Sequence, residues 1–299
     1  MIKHLYGAFF ILIFNIIMKK LLYLFSFVIL ISCTKESTDD NDNLSGEQNI
    51  SNVSYGNDGA QKMDVYLPEK RSSDTTKLLV LIHGGAWSED DKSFFTIYMP
   101  RLKEIFPNYA IANINYRLAT TNANHFPTQE NDVKAAVDFL MGKSNEYEIS
   151  KKIVLLGVSA GAHLALLQAY KNPSPKIAAV IDFFGPTDMV ALYNSTTAGF
   201  NQFAFELLMG GTPATNPSIY QQSSPINFVS TQSPPTLILH GTLDDYVDIS
   251  HSIALKNKLA SFGVTTQMIT YPGEGHGWYG AKMDDAFIQV QSFIKANVP

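Results

Sequence analysis

Ile153-Val154-Leu155-Leu156-Gly157-Val158-Ser159-Ala160-Gly161-Ala162-His163-Leu164 is the stretch from which the fold of the whole chain can be read. Its first four residues are an apolar run too short for a helix. Such runs suit a strand buried on both faces of a parallel sheet. From Ala160 to Tyr170 the sequence reads as a helix. Gly157-Val158-Ser159-Ala160-Gly161 lies between the two, so the serine sits on a strand-to-helix turn. That turn is tight, and small residues must flank the serine. It also places the hydroxyl at a helix N-terminus, where the dipole favours a developing negative charge. Gly and Ser are common residues, and the string alone is weak. The strand–turn–helix context is what points to a nucleophile rather than an ordinary connection.

Strands and helices alternate on both sides of this turn. Lys62–Leu67, Leu78–Ile82, Tyr109–Ile114, Ile177–Phe184, Thr236–Leu239 and Thr266–Tyr271 read as further strands, several ended by Gly or Pro. Phe94–Ile105, Gln129–Met141, Ser250–Phe262 and Met283–Ala296 read as helices. The last places Met283, Phe287, Val290 and Ile294 on one face. This alternation predicts an α/β domain over 51–299, with a mostly parallel central sheet flanked by helices. Residues 187–233 break the rhythm. They are rich in Gly, Pro, Ser, Thr and Asn, with a short helical candidate at Phe203–Met209. An insertion of this length is expected to form a lid or a pocket wall.

Composition narrows the function. The chain has 299 residues, 45% of them apolar and 16% charged, which excludes a disordered or collagen-like protein. The net charge is −5, and −8 without the first 32 residues, so binding nucleic acid is not the expected task. The single cysteine, Cys33, precludes an internal disulfide. There is no His-Glu-x-x-His helix, no thiolate cluster and no glycine-rich phosphate loop, so neither a metal nor a cofactor is expected.

Residues 1–32 read as a secretory signal, with Lys19-Lys20 before the apolar run Leu21–Ile31 and small Ser32 before Cys33. Met18 is an alternative start, and an uncleaved membrane anchor is the alternative to a signal. Leu30-Ile31-Ser32-Cys33 resembles a bacterial lipoprotein box, which implies cleavage and acylation at Cys33. Several acyl chains hold a protein stably on a membrane. Residues 33–50 follow as an acidic tether with almost no apolar content. An acidic stretch after the cysteine resembles the surface-export signal of Bacteroidetes lipoproteins. The expected location is the cell envelope, held by a lipid anchor; the acidic stretch points toward the outer-membrane surface, and the sequence leaves the leaflet and face of the anchor open.

A serine nucleophile needs a base. Of the seven histidines, His83 and His240 stand at strand ends before glycine, where packing or backbone hydrogen bonding is expected. His163 lies in the helix after Ser159 and reads as structural. His251 is expected to be solvated, and His125 is a loop residue placed to touch substrate. His276 lies in Pro272-Gly273-Glu274-Gly275-His276-Gly277-Trp278, a flexible loop after the last strand, and is the base of choice. Asp244, in the loop after Thr236–Leu239, is the carboxylate chosen to orient it, with Asp245 as the runner-up. His83-Gly84-Gly85-Ala86-Trp87 ends a strand. Its backbone N–H groups at Gly84, Gly85 and Ala86, together with that of Ala160, are the candidate oxyanion donors.

His83–Trp87, Asn115–Leu118, Gly157–Leu164, Phe184–Asp188, Ser224–Asn227 and His240–Val247 carry a resemblance across 54–298. The body resembles an α/β-hydrolase esterase, above all the bifunctional feruloyl and acetyl-xylan esterases, with hormone-sensitive-lipase-like esterases as cousins. Ala86 and Ala162 stand where many relatives have glycine. The resemblance implies a serine carboxylesterase, using Ser159, His276 and Asp244, on acetyl or feruloyl esters of plant polysaccharide. Kynurenine formamidases resemble the same turns, so an amidase or peptidase is the alternative. A catalytically inactive binding protein is the third reading. Trp87, Trp278, Tyr279 and Phe200 are expected to line the pocket. Arg117 and Asp132 read as a structural ion pair. Asp182 reads either as support for the acid or base, or as a loop hydrogen-bond acceptor.

Overall fold

The computed structural model describes residues 46–174, 176–195 and 201–299. The signal, Cys33, most of the tether and Phe200 lie outside the described residues. The described chain builds one eight-stranded sheet. Its strands are β1 (Gln48–Ser54), β2 (Lys62–Leu67), β3 (Lys77–Ile82), β4 (Tyr109–Ile114), β5 (Ile153–Val158), β6 (Ile177–Phe183), β7 (Thr236–Gly241) and β8 (Thr266–Tyr271). Their order across the sheet is β1-β2-β4-β3-β5-β6-β7-β8. β1, β2 and β4 pair antiparallel, and every other pair is parallel. The helices are α1 (Met99–Ile105), α2 (Thr128–Gly142), α3 (Ala160–Lys171), α4 (Met189–Tyr193), α5 (Gln202–Met209), α6 (Pro217–Gln222), α7 (Ser250–Ser261) and α8 (Ala281–Asn297). None of the described helices is long and apolar enough to cross a membrane.

The central strands are continuous apolar runs because both faces are covered. Leu78, Val80 and Ile82 of β3 pack on one face with Val133, Leu164 and Leu255, from α2, α3 and α7. Leu79 and Leu81 pack on the other with Leu102, Phe287, Val290 and Ile294, from α1 and α8. Arg117 pairs with the buried Asp132 at 2.6 Å, and Gln61 Nε2 donates to the same carboxylate at 2.7 Å. This is the structural ion pair expected of those two residues.

Three local expectations give way. Gln48–Ile50, assigned to the tether, belong to β1. This polar edge strand forms because β2 offers it a ladder, not because its own sequence is apolar. The helix expected at Phe94–Ile105 divides into a 3-10 turn, Lys92–Tyr98, and α1. Asp91 caps the first piece by accepting from Ser93 N–H at 2.7 Å. Pro100, which has no N–H to donate, stands in the first turn of the second. His251 is buried rather than solvated. Its Nδ1 accepts from Thr187 N–H at 3.3 Å, and burial pushes its pKa down to about 4.

Because β3, β5, β7 and β8 run parallel, the loops that follow them emerge at one edge of the sheet. β1 begins at the other edge. Gln48 lies opposite Leu67, and Arg71 Nη1 donates to Gly46 O at 2.6 Å.

Candidate active site

Ser159 occupies the turn between β5 and α3 with φ 54° and ψ −119°, a conformation that L-residues rarely adopt. Neighbouring backbone enforces it. A Cβ on Gly157 would stand 2.3 Å from Gly161 O, and one on Gly161 would stand 2.1 Å from Ile82 O. Both glycines are therefore required, and the turn is pressed against the end of β3. Ser159 N–H donates to Phe183 O at 2.9 Å, which ties it to β6 as well.

His276 projects from the loop after β8. That loop lies on the one after β7. Leu243 N–H donates to Glu274 O at 2.8 Å, and Gly273 N–H to Thr242 Oγ1 at 2.9 Å. A Cβ on Gly241 would stand 2.3 Å from Gly275 O. The close approach brings His276 Nε2 to 2.8 Å from Ser159 Oγ and Nδ1 to 2.7 Å from Asp244 Oδ2. Phe184 packs edge-on against His276 at 4.7 Å. Asp245, the runner-up, is exposed and makes no such contact.

Asp244 is buried. Burial by itself raises a carboxyl pKa, but hydrogen bonds from His240 and His276 outweigh it and hold Asp244 well below the usual range. Oδ1 accepts from Tyr246 and Val247 N–H, each at 2.9 Å. His240 was expected to serve packing or backbone bonding. It does bond Val247 O, at 2.9 Å, but its Nε2 also stands 3.2 Å from Asp244 Oδ2. Its position four residues before Asp244, at the end of a buried strand, was the signal available.

The turn after β3 faces Ser159. Gly85 has φ 88°, and a Cβ there would meet Glu89 O at 2.2 Å. Ala86 and Trp87 follow with φ 46° and 62°. Ala86 thus takes up the left-handed conformation that a glycine adopts freely, at a cost of about 1–2 kcal/mol. Gly85 and Ala86 N–H carry no hydrogen bond among the described residues. Ala160, first residue of α3, has no intrahelical acceptor for its own N–H. Tyr116 steadies the turn from behind. Its hydroxyl donates to Gly84 O at 2.7 Å, and its ring stacks on His83 at 4.3 Å. Burial pushes His83 down to about 4.

Ser159 and His276 open on a cavity of about 520 Å³. Trp87, Leu192, Phe205 and Leu208 wall one side, and Phe94, Tyr98, Met283 and Phe287 the other. α4 and α5 come from the insertion, which therefore supplies a pocket wall. The Trp87 ring is held by donation from its Nε1 to His163 Nδ1 at 3.1 Å, and His163 Nε2 donates to Ser223 O at 2.7 Å. His163 is thus structural, as expected. Trp278 also lines the cavity, stacked on Tyr271 at 4.4 Å, and Tyr279 stands 81% exposed at the mouth.

His125 does not reach the cavity. Its Nδ1 bonds Leu207 O at 2.6 Å, and Phe126 N–H donates to Leu208 O at 2.9 Å, so its loop is laid against the back of α5. Asp182 accepts from Gly185 N–H at 2.7 Å through Oδ1, the loop hydrogen bond among the two roles considered for it. Burial pushes its pKa up to about 7. Among the described residues no group of three or more His, Cys, Asp and Glu is placed to hold a metal ion.

A hydroxyl, an imidazole and a buried carboxylate in line, beside unpaired N–H groups, form an arrangement for nucleophilic attack on a carbonyl. The BD-FAE family model matches residues 63–259. The chain belongs to the BD-FAE family. The match takes in Ser159 and Asp244 and ends before His276. The bifunctional GH43-CE of Bacteroides eggerthii is 28% identical and superposes with a TM-score of 0.70, over 82% of this chain and 38% of that one. A truncated carbohydrate esterase from gut microbiota is 26% identical with a TM-score of 0.67, over 86% of this chain and all of that one. Esterase LipC of Mycobacterium tuberculosis is 24% identical over 242 residues, 76% of this chain and 59% of the relative. The chain spans a little over half the length of LipC and of its relatives LipM and LipQ.

Proposed function

We propose that this BD-FAE family member is a serine carboxylesterase whose triad is Ser159, His276 and Asp244. The observation that carries this reading is the unbroken line from Ser159 Oγ through His276 to Asp244, with steps of 2.8 and 2.7 Å. His276 Nε2 takes the proton from Ser159 as Oγ attacks the ester carbonyl. Asp244 holds Nδ1–H and balances the imidazolium that forms. Backbone N–H groups of Gly85, Ala86 and Ala160, with Gly84 beside them, receive the oxyanion. His276 then protonates the departing alcohol, and water, activated by the same ring, releases the acid from Ser159.

The favoured substrates are acetyl or feruloyl esters of plant polysaccharide. The carbohydrate-esterase neighbours and the largely apolar cavity support that choice, since an acyl group needs such walls while the sugar stays at the mouth. Acylation at Cys33 would hold the domain at the cell envelope. A second reading, amide hydrolysis, draws on the match to acylamino-acid-releasing enzyme 1 of Oryza sativa, 25% identical over 76% of this chain.

Acetate release from acetylated xylan, run beside p-nitrophenyl acetate and matched anilides, tests these readings. The esters are expected to turn over, and Ser159→Ala is expected to abolish the reaction without unfolding the protein. Faster turnover of the anilides sinks the esterase assignment. Retained activity in Ser159→Ala sinks the triad.

A further inference from the structure

Behind the line of Ser159, His276 and Asp244 stands a second histidine. His240, next to last in β7, has no exposed surface. Its Nε2 faces two acceptors, Val247 O at 2.9 Å and Asp244 Oδ2 at 3.2 Å, so Nε2 carries the proton and donates to both. Its Nδ1 lies 2.6 Å from Ser252 Oγ on α7, and the serine hydroxyl donates to it. Both ring nitrogens are thereby satisfied. Asp244 in turn accepts at every side. Oδ1 takes the two backbone N–H groups, and Oδ2 is shared between His276 and His240.

We propose that His240 is a positioning residue of the triad: its Nε2–H holds Asp244 Oδ2 against His276 Nδ1 and draws charge from that oxygen. His240 thus sets how tightly Asp244 retains a proton on His276. The proposal rests on the triad reading above. Without this donor, Oδ2 loses one of its two restraints and becomes the better acceptor for a protonated His276. An imidazolium held more tightly forms at higher pH, so the acid limb of kcat/KM moves upward.

Other ionisable groups stand around this pair, Asp182 and His251 buried and Asp248 and Tyr246 exposed, and none takes the place of that donor. Asp182 on β6 is committed through Oδ1 to Gly185 N–H. His251 on α7 faces Thr187 and Asp188 through an accepting Nδ1. Asp248 accepts from Ser250 N–H. Tyr246 stacks on the far side of His276 at 5.2 Å.

Two polar variants separate donation from mere filling of space. In His240→Gln the longer amide reaches the place of Nε2 and can donate to Asp244. In His240→Asn the amide stops near the place of Nδ1 and cannot. His240→Asn is expected to lose about 10–100-fold in kcat, the range of one hydrogen bond to a charged group, and to raise the acid limb by about half a unit or more. His240→Gln is expected to keep most of kcat and the native limb. An unmoved limb in His240→Asn, or limbs that move alike in both variants, overturns the proposal. Thermal melts verify that each variant is folded. Should His240→Asn not fold, Ser252→Ala carries the test. Loss of the hydroxyl from Nδ1 weakens Nε2–H as a donor, and the limb moves the same way by less; an unmoved limb there also overturns the proposal. Ser159→Ala on the same ester keeps the two ideas apart. Its residual turnover counts against the triad itself, whereas an inactive Ser159→Ala beside an unmoved limb counts against His240 alone.

Discussion

Replacing Gly161 by alanine tests the packing that holds the nucleophile turn against the oxyanion turn. A Cβ at Gly161 would stand 2.1 Å from Ile82 O and 2.3 Å from His83 O, both backbone atoms that no rotamer change can move aside. Ordinary contact begins near 3.4 Å, so the start of α3 and the end of β3 must part by more than 1 Å. Two effects follow. Forcing a methyl group into packed backbone costs about 1–3 kcal/mol, and at about 2–4 °C per kcal/mol the melting temperature falls by roughly 2–12 °C. The displacement also separates Ser159 and Ala160 N–H from Gly85 and Ala86. A misplacement of about 1 Å costs on the order of 10²-fold in rate. Gly142→Ala is the control. It ends α2, and nothing lies within 4 Å of its added Cβ. The assay is kcat/KM on p-nitrophenyl acetate for native protein and both variants, with a thermal melt of each. A Gly161→Ala enzyme within threefold of native, with an unchanged melt, would falsify the close packing from which the loss is calculated.

Asp244→Asn should lower kcat by about 10⁴-fold, because an amide NH₂ must then face N–H donors where a carboxylate accepted four; Asp245→Asn should stay near native, and equal losses in the two would point to the wrong acid. Asp132→Ala should cost about 3–5 kcal/mol by stranding Arg117 and Gln61 Nε2, and a urea midpoint close to native would show the pair to be dispensable. Stability should fall as pH drops from about 6.5 toward 4. His83, His163 and His251 have folded pKa values depressed to about 4, so in that window the unfolded chain binds more protons than the native one. Asp244, depressed below its unfolded value, adds to the loss at lower pH as it is protonated. Asp182, raised to about 7, and Glu130, also raised by burial, act in the opposite sense, but they are two groups against three. The melting temperature at pH 4.5 should lie on the order of 5–10 °C below that at pH 7.5, and an equal or higher value at pH 4.5 contradicts the burial of the histidines as neutral rings.

Much of the fold is legible in the sequence. The apolar runs at β3 and β5 are strands because both of their faces are covered, and that constraint is written almost residue by residue. Gly-x-Ser-x-Gly between a strand and a helix placed Ser159, and chain order placed His276 after the last strand. Local sequence was silent elsewhere. β1 is polar and owes its existence to a partner strand. His251 follows the start of a helix, where exposure is the ordinary expectation, and only the packing of Thr187 over it reverses that. His125 carries the same chemistry as a substrate contact and fails to be one because its loop folds back on α5.

The sequence by itself determined the α/β alternation, the turns that carry reactive groups and the identity of Ser159 and His276 as partners. Those properties follow from local periodicity, from glycine where a Cβ has no space, and from the titration chemistry of Ser, His and Asp. Only the tertiary structure decided that Asp244 rather than Asp245 faces His276, that His240 shares its oxygen, and that α4 and α5 wall the cavity. The first and the last depend on the approach of segments tens of residues apart, and the second on how the short loop from His240 to Asp244 turns back on itself; a shift of one residue in that loop exchanges a buried carboxylate for a solvated one.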